Sequence, residues 1–190
     1  AGRRTLSVAP IFAPVTANSF ATINALAPGR TIFGIGTGNT ARRTLGMPAA
    51  RLEELREHIE VCQGLFADRI TDYSEGDRHR KIKFLNPDMG YINLKDKIPV
   101  YIAASGPKVA QMAGEIADGV ILFGAVHPSI VKWMVDHVKI GAQRAGIGLC
   151  RPVQFEIADA AAGDYQRFGI RPAGGCAFKC LFEVLPRPWW

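Results

Sequence analysis

Cysteine is scarce in this chain. Only Cys62, Cys150, Cys176 and Cys180 occur in 190 residues, and their spacing forms no disulfide framework. Cys176 and Cys180 have three residues between them and no histidine nearby, so no metal site is expected. A reducing cytoplasm fits that usage. Long hydrophobic runs are also missing: none reaches the roughly 18 apolar residues that span a bilayer. No signal-peptide pattern opens the chain, and no membrane partner is expected. The chain holds no Ser-His-Asp order, no H-E-x-x-H and no Walker motif. Aromatics make up 9% and are not interleaved with the basic residues. The net charge of +6 gathers at Arg3, Arg4, Arg42 and Arg43 and again at Arg78, His79, Arg80, Lys81 and Lys83. Without a nucleic-acid-binding motif, that charge reads as solvated surface, and no nucleic-acid partner is expected.

What is present is a core. Hydrophobic residues make up 48% and charged residues 21%, enough to pack a globular α/β chain. Strand and helix signals alternate. Leu6–Ala9 is a short strand, Phe12–Asn18 a loop with Pro14, and a helix is expected from Ala17 to Leu26, stopped by Pro28-Gly29. Thr31–Ile35 is an apolar strand, and Gly36-Thr37-Gly38-Asn39 follows as a turn. The helix over 49–67 carries Leu52, Leu55, Ile59, Cys62 and Phe66 on one stripe, with Glu53, Glu54, Arg56 and Glu57 facing away. Residues 68–97 read as a polar insertion with β-like pieces at Lys81–Leu85 and Tyr91–Leu94. Ile98–Ala104 is the next strand, Ser105-Gly106-Pro107 opens a helix to Ile116, and Val120–Phe123 is another strand. A helix from His127 to Gly146 and a strand at Val153–Ala158 close the pattern. Continuous apolar strands separated by helices mean a parallel sheet buried on both faces. Residues 1–162 therefore form one expected region. Residues 163–190, with Gly174-Gly175 and Trp189-Trp190, show no helical or strand period and read as an atypical tail, either misassembled or a docking segment.

Three stretches can carry chemistry. Ala104-Ser105-Gly106-Pro107-Lys108 joins a buried strand to a helix. Pro107 suits a first helical turn, and Ser105 suits the N-cap or its neighbourhood. Gly106 lets a ligand approach the backbone. Free N–H groups, the helix dipole and Lys108 favour a phosphate. The bland alternative is an ordinary capped helix. Gly36, Thr37, Gly38 and Asn39 form the second stretch. It is not a dinucleotide fingerprint, because the third glycine comes one residue early and the next helix starts late, near Ala49. Small residues at a strand end instead allow a flat ring to approach, with Thr37 and Asn39 supplying hydrogen bonds. The third stretch, Ala9–Thr16, follows a strand end as well. Among the histidines, His127 before Pro128 is the acid/base candidate. His58 reads as surface, and His137 as structural.

The runs TANSFATINALAPGRTIFGIGTGNTARRTLGMP, ARLEELREHIEVCQGLFA and IPVYIAASGPKVAQMAGEIADGVILFG resemble the bacterial luciferase-like superfamily over about residues 5–160. That superfamily includes flavin-dependent monooxygenases and reductases that use the deazaflavin coenzyme F(420). The resemblance implies an α/β fold, a partial (β/α)8 TIM barrel. Strand three would be Thr5–Pro10, four Thr31–Gly36, five Ile98–Ala104, six Val120–Gly124 and seven Val153–Ala158. It implies a flavin or deazaflavin oxidoreductase acting on a small-molecule substrate by hydride transfer or oxygen insertion, with FMN and F(420) both open. Ala104–Pro107 would hold the cofactor phosphate, Gly36–Asn39 would border it, and a non-prolyl cis peptide would lie within Ala9–Phe12. Strands one and two have no counterpart here, and strand eight is missing or replaced by the tail. An inactive, flavin-binding fragment is therefore the alternative, and a homodimer or other self-association that covers open sheet edges is expected.

Overall fold

A computed structural model describes residues 12–123, 128–147, 154–158, 165–169 and 179–183. The chain divides into two compact units, Ala1–Val100 and Tyr101–Trp190.

The first unit contains α1 (Ala13–Leu26), β1 (Phe33–Ile35), α2 (Asn39–Thr44), α3 (Leu52–Phe66) and a hairpin of β2 (Thr71–Glu75) and β3 (Arg78–Ile82). α1 begins earlier than the expected Ala17. Pro14 sits in its first turn, where the fixed φ suits a helix and the missing N–H costs nothing. α1 packs against α3. Phe33 of β1 meets Phe20 of α1 edge-on at 4.7 Å between ring centroids, and Phe66 of α3 at 5.6 Å. Ile59, Cys62 and Leu65 of α3 are buried beside them. Burying each large apolar side chain contributes about 1.5–3 kcal/mol. The Glu54 carboxylate starts α3 by accepting the Arg51 backbone N–H at 3.1 Å and its Nε at 2.9 Å.

The segment 68–97 departs from expectation. The sequence reading places β pieces at Lys81–Leu85 and Tyr91–Leu94. The structure instead forms an antiparallel hairpin with Thr71 opposite Ile82 and Glu75 opposite Arg78. Gly76-Asp77 is its two-residue turn, and Gly76 takes a φ of +58°, the first-position requirement of a II′ turn. Beyond a short 3-10 turn at Pro87–Met89, the chain is fastened to α1. The fully buried Asn24 donates through Nδ2 to the carbonyls of Asn93 and Asp96, both at 2.9 Å. The Asn93 N–H returns to the Ala21 carbonyl at 3.0 Å. The Phe33 N–H donates to the Pro99 carbonyl at 2.8 Å, just before β4 (Val100–Ala104) begins in the sequence.

In the second unit β4 pairs in parallel with β5 (Gly119–Phe123), Tyr101 opposite Gly119 and Ala104 opposite Leu122. The crossover between them is α4 (Pro107–Ile116), a βαβ unit. α5 (Pro128–Arg144) lies against α4 at very close range. A Cβ on Gly114 would strike the Val138 carbonyl, and one on Gly141 would strike the Gln111 carbonyl. The helices touch backbone to backbone, with Ala113 and Ala142 fully buried at the crossing.

The strand expected at Val153–Ala158 is present, though paired antiparallel and not within a parallel sheet, and two further strands lie in residues 163–190, where no strand period is legible. β6 (Gln154–Ala158) pairs antiparallel with β7 (Tyr165–Gly169), and β8 (Lys179–Glu183) pairs in parallel with β5. The run Cys180-Leu181-Phe182 is too short to stand out among glycines and prolines, yet three apolar residues suffice for a strand when a sheet edge offers partners. No helix among the described residues is long and apolar enough to cross a membrane.

Candidate functional site

β1 delivers Gly36, Thr37 and Gly38, all half-buried, and then the exposed Asn39. The expected turn and late helix are corrected here: α2 begins at once, at Asn39. Gly38 is its N-cap with a φ of 68°, a left-handed conformation that glycine adopts without penalty. The helix gives no periodic signal because it has six residues and buries none of them. The loop beyond it folds back on itself. The Ala50 N–H donates to the Thr37 carbonyl at 2.9 Å, and the Met47 N–H to that of Arg42 at 2.8 Å. Arg42 Nε donates to the Pro48 carbonyl at 2.7 Å. Arg42, which the sequence shows only as one more positive charge, thus ties the segment that carries Thr37. Hydrogen bonds from the Arg51 side chain and backbone hold the Glu54 carboxyl below the usual carboxylate range, and the Arg42 charge adds to this.

In the second unit β4 ends at Ala104, which is fully buried. Ser105 and Lys108 are exposed, and Gly106 and Pro107 half-buried. The N-cap of α4 is Gly106 with extended backbone (φ −155°, ψ 167°), so Ser105 stands one position before the cap. Pro107 occupies the first turn as expected. The first helical bond runs from the Ala110 N–H to the Gly106 carbonyl at 3.0 Å. By helix geometry the N–H groups of Gly106, Lys108 and Val109 then point out of the helix end. A Cβ at Gly106 would meet no atom within 4 Å, so the space beside the N-cap is open. Donors at a helix start with no acceptor among the described residues, an open N-cap and an exposed lysine suit a phosphate.

His127, Gly124, the strand expected at Thr5–Pro10 and residues 9–11 of the expected cis-peptide stretch lie outside the described residues. His58 is not the surface residue its charged neighbours imply. It is half-buried, its Nε2 has no hydrogen-bond partner, and burial lowers its pKa. On α5, His137 packs edge-on against Trp133 at 4.6 Å and accepts from Gln111 Nε2 at 3.3 Å. Cys62 is buried with its thiol 3.5 Å from the Ala13 carbonyl, and desolvation pushes its pKa up, which makes it inert.

Parallel strands linked by a helix, with small residues after β1 and β4, define an α/β chain of the kind that builds β/α-barrels and open doubly wound sheets, and no closed barrel is present among the described residues. Comparison with known proteins fixes the class further. Residues 5–158 match the family described as luciferase-like monooxygenase, and the chain belongs to that family. It is 33% identical over 137 residues to the 5,10-methylenetetrahydromethanopterin reductase of Methanolobus tindarius, covering 70% of this chain and 40% of that one. It is 32% identical over 139 residues to the F(420)-dependent glucose-6-phosphate dehydrogenase of Nakamurella multipartita, covering 70% and 39%. The structure of the coenzyme F(420)-dependent tetrahydromethanopterin reductase from Methanopyrus kandleri superposes with a TM-score of 0.59 at 23% identity, over 81% of this chain and 49% of that one. The chain thus spans about 40% of the length of the curated relatives it matches.

Proposed function

We propose that this chain is the cofactor-holding part of an oxidoreductase that uses a phosphate-bearing redox ring, deazaflavin F(420) in preference to FMN. The observation that carries the reading is the open, donor-rich start of α4 at Gly106, where a Cβ would have only empty space before it. In this reading the N–H groups of Gly106, Lys108 and Val109 grip phosphate, and Lys108 adds charge. Ala104 ends the strand beneath. Ser105 offers its hydroxyl at the rim, and Pro107 fixes the turn. Gly36, Thr37, Gly38 and Asn39 border the ring, with small residues admitting a flat face and Thr37 and Asn39 offering hydrogen bonds. Both stretches follow the C-terminal end of a strand, the end at which parallel barrels bind ligands. His127, between β5 and α5 in sequence, is the proposed proton donor or acceptor. The bound cofactor supplies hydride chemistry, and the protein supplies grip, orientation and exclusion of water. The preference for F(420) rests on relatives above 30% identity whose names specify that cofactor. The phosphate grip alone serves either.

A second reading is binding of the cofactor without turnover. Self-association that covers open sheet edges belongs to the first reading, because a partial barrel needs its edges paired. The test is titration of the purified chain with F(420) and with FMN, followed by absorbance. Gly106→Asn keeps a good N-cap residue and meets no protein atom, so its melting temperature stays within about 2 °C of the parent. Its cofactor affinity is expected to fall at least tenfold. Unchanged affinity in that variant refutes the grip. Binding by the parent chain with no hydride transfer to or from a panel of alcohols and imines selects the second reading.

A further inference from the structure

The first unit contains a groove of about 390 Å³ that shares no residue with the cofactor segments. Pro14, Val15 and Asn18 line one side, on a single face of α1. Leu65 of α3 lines the floor, and Ile82, Lys83 and Phe84, where β3 runs out, line the other side. The lining is mostly apolar, with two polar heads. Lys83 and Asn18 are both exposed, and neither side chain has a hydrogen-bond or ion-pair partner among the described residues. The first turn of α1 carries no acidic residue that would repel an anion there. Val15 is 52% exposed.

We infer that this groove binds a small amphiphilic carboxylate, with its apolar body between Val15 and Phe84 and its carboxylate at the Lys83 ammonium and the Asn18 amide. Volume and composition agree with that class: small-molecule sites measure roughly 300–1,000 Å³ and combine apolar walls with a few polar groups. The sign of the head group follows from Lys83, the only charged residue among the described residues that line the groove. The lysine stem can lie along the apolar wall while its head reaches the ligand. Phe84, half-buried, favours an aromatic body.

The experiment is calorimetric titration of the full chain with 4-phenylbutyrate and, separately, with 4-phenylbutylamine, which keeps the apolar body and reverses the charge. Saturable binding of the carboxylate, at least fivefold tighter than the amine, is expected. Lys83→Gln should abolish that preference. Val15→Trp should weaken the carboxylate fivefold or more by filling the groove. Both positions are exposed, so both variants should melt with the parent. No saturable binding, equal binding of the amine, or indifference to both substitutions overturns the assignment. None of these outcomes bears on the cofactor reading, which Gly106→Asn tests by itself.

Discussion

The two units solve helix packing in opposite ways. In the first, rings bridge α1 and α3: Phe33 of β1 meets Phe20 of α1 on one side and Phe66 of α3 on the other, edge to face. In the second, α4 and α5 meet through Gly114 and Gly141, each placed against a carbonyl of the other helix. An interface of flexible side chains can give by rotamer change, whereas one of backbone against backbone has no torsion to spare. The same change of a single methyl group should therefore have very different consequences in the two places.

Adding one at Gly141 should have the largest effect. Gly141→Ala forces the helices apart, and a loss of about 3 kcal/mol is expected in urea unfolding, at the upper end for overpacking. A loss below about 1 kcal/mol would mean that the helices separate freely. Next comes Asn24→Ala, which strips two donors from the Asn93 and Asp96 carbonyls. It should cost about 2 kcal/mol and leave the 91–97 segment open to protease while the rest of the chain resists. Even protection across the chain would refute that local role. Removing a methyl group from the first unit, Ile59→Val, should cost only about 0.5–1.5 kcal/mol. If it matched Gly141→Ala, the contrast between the interfaces would collapse.

The smallest effect is one of pH. Burial depresses the His58 pKa below its ordinary 6.5, so the unfolded chain takes up a proton more readily than the folded one. Stability from this group is complete above about pH 6.5 and is lost as pH falls from there through the folded value. Unfolding free energies measured between pH 7.5 and 5 should decline for the parent. They should decline less for His58→Gln, which keeps polarity without the titration. Parallel slopes would mean that His58 is open to water in solution.

Sequence and structure diverge in an instructive pattern. The long stripe of α3, the proline start of α4 and the apolar runs of β4 and β5 are legible because each is written in consecutive residues. Pro107 and the small residues at 104–106 mark the start of α4 for the same reason. The hairpin at Thr71–Ile82 is also written locally, in Gly76-Asp77, but its strands are polar and give no apolar signal. Nothing local marks His58 for burial or makes Arg42 the tie of the Thr37 loop. Both depend on residues that fold back from further along the chain, Pro48 in the case of Arg42.

By itself, the sequence determined the alternation of strand and helix, the parallel order of the apolar strands β4 and β5, and the residue types at both candidate loops. Local sterics and hydrophobic periodicity encode such features within a few residues. Tertiary structure alone decided that β8 from the chain's end pairs with β5, that Gly114 and Gly141 bring two helices into backbone contact, and that Lys83 overlooks an apolar groove. Each of these joins residues distant in sequence. The free energy that selects them comes from surfaces meeting in space and not from any one segment.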